Sequence, residues 1–318
     1  MVNRYNNMPK PLTILLVLLL CKTATAQLTY ERLYVDYDSA WTYKNLKIIP
    51  IRFKGFAGSA RAYPKVVSLN QAMQEGFVKV SERGTASTEN VHWLRINNTS
   101  DKSVYIGSGE VILGGRQDRM VSKDTILAPS GADQYIPVMC VEEGRWSDKQ
   151  KKFLYNNYAS PALRKVLDHS KNQVLIWKEI LSQINYTGIQ APTLAYAAHR
   201  ADKKFTAEQD AYYKYFAEKF KNADSTITGI VCMSGDKVIG CDVFVANNLF
   251  YGELLPLLHG YIEEAVTFGQ PPVIKDKQVK EYLDNILTDE ESQSAYLKIN
   301  GKIYKYRDKV IHITGYAQ

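Results

Sequence analysis

Glycine, arginine and carboxylate residues are concentrated between Gly107 and Trp146, in sequence that otherwise alternates in the manner of β-strands. The stretch contains Gly-Ser-Gly-Glu, Gly-Gly-Arg-Gln-Asp-Arg and Cys-Val-Glu-Glu-Gly-Arg-Trp. Glycine lets backbone amides approach a ligand or adopt positive φ. Arginine supplies planar paired donors that match a phosphate or a carboxylate. These residue types predict a shaped polar surface for a small anionic ligand, such as a nucleotide or another acidic ligand.

The side chains of the predicted ligand site have different expected roles. The arginines would bind the charge, Gln117 would orient the ligand, and Trp146 would form a wall. The predicted site comprises Glu110, Gly114, Gly115, Arg116, Gln117, Arg119, Glu142, Arg145, Trp146 and Asp242.

A structural interpretation uses the same residues. Glu110 or Glu142 would pair with Arg119 or Arg145 and tie the strand ends together, while the glycines serve the turns. The two interpretations differ in whether the arginines surround an open hollow or bury each other.

Cys140 supports a catalytic alternative. A cysteine, four intervening residues and Arg145, placed after an apolar strand, have the layout of a rhodanese active-site loop. Sulfur transfer or phosphatase chemistry needs a lowered thiol pKa. Glu142 and Glu143 within the loop would raise that pKa by like-charge repulsion. A Cys140-dependent enzyme therefore remains an alternative, and a non-catalytic protein is the favoured interpretation.

Other catalytic and cofactor templates are missing from the sequence. Gly107-x-Gly109 is followed by Ile112 where a dinucleotide fingerprint needs glycine, and there is no Gly-x-x-x-x-Gly-Lys-Ser/Thr loop. The five histidines are solitary, with no His-x-x-x-His or Cys-x-x-Cys pair. We therefore predict neither a metal site nor a bound cofactor.

The N-terminus has the order of a secretory signal peptide. Arg4 and Lys10 precede the apolar run from Leu12 to Leu20, and Ala24-Thr25-Ala26 provides the small residues of a cleavage site. The apolar run is too short for a stable membrane anchor. Cleavage after Ala26 predicts a secreted or periplasmic protein.

Cys21 raises the alternative of lipidation within the leader. A lipobox requires a small residue before the cysteine, and Leu20 stands there instead, so lipidation is disfavoured. Cleavage leaves a single α+β domain over residues 27–318, and no later segment reaches the roughly 18 apolar residues of a transmembrane helix.

The charge of the mature chain is mild. The full chain carries +7, and the leader removes three basic residues and no acids, which leaves 7 − 3 = +4. The basic residues are spread along the chain, so we expect no nucleic-acid partner.

Three cysteines remain after cleavage. Two of them, Cys232 and Cys241, flank a turn and would pair only diagonally, so buried free thiols are favoured over a disulfide.

The periodicity predicts a β-rich first part, 27–146, and a mainly helical second part with a hairpin, 147–318. The predicted strands are Leu33 to Tyr37, Leu46 to Phe53, Phe77 to Ser81, Val91 to Asn97, Ser103 to Ile106, Val111 to Leu113, Met120 to Leu127, Tyr135 to Val141, the hairpin Ile227 to Met233 with Lys237 to Val245, Ile303 to Tyr306 and Val310 to Ile313.

The predicted helices begin at recognisable caps or follow an apolar stripe. Ser160-Pro161 is a cap followed by proline in the first turn, and Thr206 with Gln209 resembles a capping box. The predicted helices are Leu69 to Gln74, Pro161 to about Ile184, Thr206 to about Lys221, Leu254 to Phe268 and Gln278 to Leu287. Strands first and helices later favour α+β over a doubly wound sheet.

Several motifs together resemble a known uncharacterised domain family, named for its association with ADP-ribosylglycohydrolase and rhodanese-phosphatase proteins. The motifs are Ser68-Leu69-x-x-Ala72 leading to Gly76, Gly109-Glu110, Gly114-Gly115-x-Gln117-x-Arg119, Pro137-Val138-x-Cys140-x-Glu142-x-Gly144-Arg145-Trp146 and Gly240-x-Asp242-x-Phe244. The resemblance covers roughly residues 46–287. It implies a contextual link to NAD and ADP-ribose metabolism.

The sequence therefore predicts an exported, non-catalytic α+β domain that binds a small anionic ligand or a protein partner. A structural module of the cell envelope is a further alternative, and it would show a stable partner and no small-molecule effect.

Overall fold

The computed structural model describes residues 28–55, 66–84, 90–146, 150–190, 193–221 and 224–317. The predicted signal peptide, its cleavage site after Ala26 and Cys21 lie outside these residues. Helices make up 38% of the structure and strands 35%, with strands dominant in the first half and helices in the second. The predicted α+β class is therefore confirmed.

The strands of the described residues are β1 (Leu33–Val35), β2 (Trp41–Tyr43), β3 (Leu46–Phe53), β4 (Val66–Ser68), β5 (Val78–Glu82), β6 (Trp93–Asn98), β7 (Ser103–Ile106), β8 (Glu110–Gly115), β9 (Arg119–Val121), β10 (Thr125–Leu127), β11 (Asp133–Cys140), β12 (Glu142–Glu143), β13 (Gln150–Tyr158), β14 (Leu194–Ala195), β15 (Ile227–Ser234), β16 (Lys237–Phe244), β17 (Gly301–Tyr306) and β18 (Lys309–Tyr316).

The α-helices of the same residues are α1 (Leu69–Gln74), α2 (Pro161–Ser170), α3 (Gln173–Thr187), α4 (Lys203–Phe220), α5 (Asn247–Thr267), α6 (Asp276–Leu287) and α7 (Glu290–Asn300). Short 3-10 turns occupy Tyr37–Ser39 and Tyr196–Ala201.

The largest sheet contains seven antiparallel strands in the order β1-β3-β15-β16-β18-β17, and β2 also pairs with β3. Both faces of this sheet are covered. Ile230 and Cys232 of β15 pack in the core with α4 and α5, whereas Val231 and Met233 pack with α6 and α7. Successive residues of a strand point to opposite faces, so β15 is buried along its whole length.

The same alternation separates the two hairpin cysteines. Cys232 lies in the core beneath α5, and Cys241 lies in the core on the opposite face, beneath α6. Both thiols are free and buried, as predicted. The diagonal placement in the hairpin therefore does not bring them together.

Strands β4 to β11 and β13 form a separate β unit with its own core. A six-stranded sheet runs in the order β13-β8-β9-β11-β6-β5, and a three-stranded sheet runs β10-β7-β4. Leu94, Ile112 and Val138 belong to the core of this unit. The edge strands β5 and β13 contact each other, and α1 contacts both, so the six-stranded sheet curls until its two edges approach.

Helices α2 and α3 cover a second face of the β unit. Val111 and Met120 pack there against Leu163, Leu167 and Ile180. Val111 and Ile112 are neighbours in β8 but belong to different cores, which again reflects strand alternation. Strand β8 is therefore buried from both sides, and this fixes the chain on either side of the glycine-rich turn.

Several predicted elements have the observed bounds, and others are wrong. The strands at Leu46–Phe53 and Ser103–Ile106 and the helix at Leu69–Gln74 match, and Ser160 caps α2 by accepting from Leu163 N. The prediction of mainly helical structure from residue 147 misses the long strand Gln150–Tyr158.

The helix predicted from Pro161 to Ile184 is two helices. Lys171 adopts φ 46°, a left-handed conformation that ends α2, and Asn172 caps α3. The capping box predicted at Thr206 is also wrong, because Asp202 caps α4 by accepting from Phe205 N.

Further differences concern element starts and omissions. Helix α5 begins at Asn247 rather than Leu254, and β9 and β10 replace one predicted strand. Helix α7 and the strands β2, β4, β12 and β14 were not predicted. No helix in the described ranges is long and apolar enough to cross a membrane.

Candidate functional site

The Gly-Gly-Arg-Gln-Asp-Arg segment forms the tight turn between β8 and β9. Gly114 and Gly115 adopt φ angles of 114° and 52°, and Gly114 N donates a 2.8 Å hydrogen bond to Asp118 Oδ1. A Cβ on Gly114 would lie 2.7 Å from the Lys152 carbonyl oxygen, which is backbone and cannot swing away. Positive φ and close backbone approach therefore both require glycine here.

Arg145, two residues beyond the end of β12, closes this turn. Its Nε donates to Glu142 Oε2 at 2.7 Å, its Nη1 donates to the Gly115 carbonyl at 2.8 Å, and its Nη2 donates to Asp118 Oδ1 at 3.2 Å. Glu142 also accepts from Thr193 Oγ1 at 3.0 Å. Burial alone would raise the pKa of Glu142, but the hydrogen bond and charge of Arg145 lower it below its ordinary value. The Glu142–Arg145 pair, one of those considered from the sequence, is thus present.

Arg119 lies inside the protein. Its side chain has 0% exposure, its Nη1 donates to the Gln117 carbonyl at 2.8 Å, and its Nη2 lies 3.6 Å from Glu82 Oε2. Arg119 Nε and Nη2 have no hydrogen-bond partner among the described residues. The pairing of Arg119 with Glu82 of β5, rather than with Glu110 or Glu142, was not predicted.

Only some residues of the predicted ligand site are exposed to solvent. Trp146 is 49% exposed, and the Arg116 guanidinium lies 5.8 Å from the centre of its ring. Gln117 and Arg119 are buried, and the Arg145 side chain is only 9% exposed. The sequence-predicted residues of this turn therefore converge, but mainly in buried ion pairs and hydrogen bonds. We call the group formed by Asp118, Glu142 and Arg145 the lock. The ligand-binding role of the predicted residues stays a prediction.

The lock joins the two edges of the curled sheet. Gly115 pairs with Gln150 of β13, and Arg116 N donates to Glu82 Oε1 of β5 at 2.9 Å. A Cβ on Gly115 would lie 2.3 Å from the Phe153 ring and 2.5 Å from Glu82 Oε1. The turn therefore determines how far apart β5 and β13 stand at this end of the sheet.

The other two predicted residues, Glu110 and Asp242, lie in a different cluster at the junction of the two large sheets. Asp242 is completely buried and accepts hydrogen bonds from both terminal nitrogens of Arg164, at 2.7 and 3.0 Å. It also accepts from Tyr261 and Thr314 hydroxyls at 2.7 Å, and His312 Nε2 lies 2.9 Å away. Burial alone would raise the pKa of Asp242, but Arg164 and then His312 lower it well below its ordinary value.

Asp124 extends this cluster on the other side of His312. His312 Nδ1 lies 2.9 Å from the Tyr105 hydroxyl and 3.4 Å from Asp124 Oδ1. Lys302 Nζ donates to Asp124 Oδ2 at 2.7 Å, and Tyr105 donates to Oδ1 at 2.6 Å. One histidine therefore lies between two buried carboxylates, each of which has its own cation.

Glu110 and Glu253 lie in the same interior, but no cation of the described ranges is in hydrogen-bonding contact with either of them. Glu110 accepts from Gly107 N at 2.7 Å and from the Tyr155 hydroxyl at 2.9 Å, and Glu253 accepts from the Tyr158 hydroxyl at 2.8 Å. Burial raises the pKa of Glu110 to about 8 and that of Glu253 well above its ordinary value. Burial therefore favours the protonated form of both carboxyl groups.

The sequence missed most residues of this buried centre, although signals existed. Arg164 lies on the buried face of α2 between Leu163 and Leu167, where an amphipathic helix normally carries apolar residues. His312 occupies an inward position of the apolar strand β18. A charged or titratable residue on an apolar face indicates a buried partner, but it does not identify which one.

The structure contains an open groove that the sequence did not predict. It lies between α1 and the strands β5, β6 and β13 and has a volume of about 910 Å³. Among the described residues of its lining, Lys79, Arg95 and Lys152 provide three cations, against the one carboxylate of Asp133. Phe153, which touches the Gly115 turn, contributes to its apolar wall.

The thiol of Cys140 does not have the environment of a nucleophile. Gln173 holds the Cys140 backbone with hydrogen bonds of 2.9 and 2.6 Å. Burial raises the pKa of the thiol above its ordinary value, although Arg119 opposes the shift. Catalysis needs the opposite shift, so the geometry gives no support to the Cys140 alternative.

Comparison with known proteins gives one finding. The family model of the ARPP-1 domain, described as the ARG and Rhodanese-Phosphatase-superfamily-associated Protein domain, matches residues 34–316. No curated protein and no solved structure matches the chain. Among the described residues, no group of three or more His, Cys, Asp and Glu side chains is arranged to hold a metal ion.

Proposed function

The chain belongs to the ARPP-1 domain family, and we propose that it is a non-catalytic binding protein that takes a small anionic ligand in the groove between α1 and β13. The observation that carries this proposal is the charge of the groove, because the part of its lining that the structure describes has three cations against one carboxylate. Its volume of about 910 Å³ falls within the range of roughly 300–1,000 Å³ usual for small-molecule sites.

The groove combines positioned and adaptable cations. Arg95 Nε donates to Ser81 Oγ at 2.9 Å, and Arg95 Nη1 lies 3.5 Å from Asp133 Oδ2. The planar Arg95 guanidinium therefore has a fixed orientation suited to a phosphate or carboxylate. Lys79 and Lys152 are exposed and provide point charges on flexible stems.

The arginines predicted from the sequence hold the strands that form the walls of the groove. Arg145 holds the turn that pairs with β13 and hydrogen-bonds β5, so it keeps the two walls of the groove in register. In this proposal Arg119, Glu142 and Arg145 position the walls, while Lys79, Arg95 and Lys152 contact the ligand.

The family name directs the choice of ligands for a test. The family is described by its association with ARG and rhodanese-phosphatase proteins, so ADP-ribose and NAD are suitable probes, with inorganic phosphate as the smallest anion. We expect a ligand at a hundredfold excess over its Kd to raise the Tm by about 5 °C. The double variant Arg95→Ala/Lys152→Ala should lose this shift.

The charge-matched control removes two exposed lysines elsewhere, Lys277 and Lys280 of α6. Lys277→Ala/Lys280→Ala should keep the shift. Equal loss in both double variants would mean nonspecific attraction by net charge. If no anion changes the Tm and the protein is isolated with a stoichiometric partner, the envelope-module alternative replaces this proposal.

We also propose that the protein is exported and that the leader is removed after Ala26, on the basis of the charged, apolar and small-residue order at the N-terminus. Mass spectrometry of the protein isolated from its native host should then find Gln27 at the N-terminus, either as free glutamine or cyclised to pyroglutamate. Recovery of the intact N-terminus in the cell interior would contradict export.

A further inference from the structure

A small polar cavity lies on the side of the large sheet that α4 and α5 cover. It is bounded by the end of β13, the 3-10 turn Tyr196–Ala201, α4 and α5, and its volume is about 20 Å³. His199, His259, Glu263, Asn156, Arg200 and Gln209 contribute to its lining. It shares no lining residue with the proposed ligand groove.

Several buried polar atoms of this lining are unpaired. Both ring nitrogens of His199, Asn156 Oδ1 and Glu263 Oε1 have no hydrogen-bond partner within the described ranges. His199 is only 3% exposed and Asn156 only 9%. Buried polar atoms in native proteins are normally satisfied by protein or by ordered water, so these groups can each take a further hydrogen-bonding partner.

The distances and the volume identify the size of that partner. His199 Nε2 and Glu263 Oε1 lie 4.0 Å apart, which is too long for a direct hydrogen bond and short enough for one bridging atom. A cavity of about 20 Å³ exceeds the roughly 10–15 Å³ that one water needs. It is too small for an organic ligand.

The protonation states match a neutral, two-way hydrogen-bonding partner. Burial, assisted by Arg200, lowers the pKa of His199 to about 4, so its ring is neutral at pH 7 and has one donor and one acceptor. Burial raises the pKa of Glu263 to about 8, so its carboxyl group is mainly protonated. Water can both donate and accept, whereas a cation would meet Arg200 and a protonated acid.

We propose that this cavity is a binding site for one ordered water molecule, hydrogen-bonded to His199, Glu263 and Asn156. The water joins three elements that otherwise meet here through unpaired polar atoms: the 3-10 turn, α5 and the end of β13. It is a structural ligand that fixes the Tyr196–Ala201 turn on α5.

Oxygen-17 magnetic relaxation dispersion on the full mature protein tests the site, because it counts long-lived internal water molecules. The variant His199→Phe keeps a planar aromatic side chain and removes both nitrogens, so we expect one long-lived water fewer and a Tm lower by a few degrees. His169→Phe, which alters a histidine outside the cavity, should retain the wild-type count.

A crystal structure at high resolution provides the independent measurement. The proposal expects a density peak within hydrogen-bonding distance of His199, Glu263 and Asn156. A dry cavity overturns it: the peak is missing, and His199→Phe raises the Tm because it removes two unsatisfied nitrogens without losing a bound water.

Discussion

The turn between β8 and β9 and the buried centre around Asp242 both pair arginine with carboxylates, but they are built over different distances along the chain. Arg145 binds Glu142 three residues away and Asp118 twenty-seven residues away. Asp242 is bound by Arg164 and His312, which are 78 and 70 residues away. The first cluster is nearly local, whereas the second exists only once distant elements have packed.

The two regions also differ in their access to water. The Arg145 side chain is 9% exposed, while that of Arg164 is 1% exposed and that of Asp242 is fully buried. Loss of a partner is therefore partly compensated by solvent in the first region and not in the second. Clustered charged residues in a sequence thus do not by themselves indicate an open site.

The largest expected effect is at the buried centre. Arg164→Met leaves Asp242 buried without its bidentate cation, so we expect the free energy of unfolding to fall by about 3–5 kcal/mol in urea denaturation. The double variant Arg164→Met/Asp242→Asn should recover part of this loss, because it removes the unpaired charge. A loss below about 1 kcal/mol for the single variant would mean that the pair contributes little.

A smaller effect is expected at the turn. Arg145→Met removes the cation that pairs with Glu142 and Asp118 at the edge of solvent, so we expect a loss of about 1–3 kcal/mol in the same measurement. Arg116→Met is the matched control, since its ring contact with Trp146 is partly exposed, and its loss should be no more than about 1 kcal/mol.

These two arginine variants also distinguish the structural interpretation of the turn from the ligand-binding interpretation. If Arg145→Met leaves stability unchanged and abolishes binding of an anionic ligand, Arg145 contacts the ligand directly. A loss of stability with binding retained under folded conditions supports the lock.

The last effect is the slope of stability against pH. Burial raises the pKa of Glu110 from its ordinary value of 4.5 to about 8, so the folded state keeps a proton that the unfolded chain releases between these values. This contribution to stability is complete below pH 4.5 and is lost as the pH rises through 8. Glu110→Gln should flatten the fall in unfolding free energy between pH 5 and pH 8 by about 1 kcal/mol per pH unit.

His199 provides the comparison at acidic pH. Burial lowers its pKa to about 4, so its own contribution to stability has the opposite sign to that of Glu110 and rises with pH between about 4 and 6.5. An unchanged slope above pH 5 in Glu110→Gln would show that Glu110 is ionised in the folded protein.

Where a local pattern determines the structure, the sequence predicted it well. Ser68 caps α1, and Ser160 caps α2 with proline in the first turn, and both starts were predicted. Strand β13 was missed because its pairing with β8 has two irregularities, which disrupt the two-residue alternation. The break at Lys171 was missed because a lysine in the left-handed region gives no glycine signal.

The candidate site divides in the same way. The Glu142–Arg145 pair is separated by three residues and was among the predicted pairs. The partner of Arg119 is Glu82, which reaches it only because the six-stranded sheet curls. The groove between β5 and β13 comes from that same curl, and none of the predicted site residues lines it.

Residue types and short spacings were sufficient to predict the α+β class, the family and a compact group of glycines and arginines. Which arginines reach solvent could be learned only from the packed structure. Arg119 is sealed by the core and by Glu82, and Arg145 is held by Glu142 and Asp118, whereas Arg95 borders an open groove. Exposure depends on what packs over a side chain, and those neighbours come from distant parts of the chain.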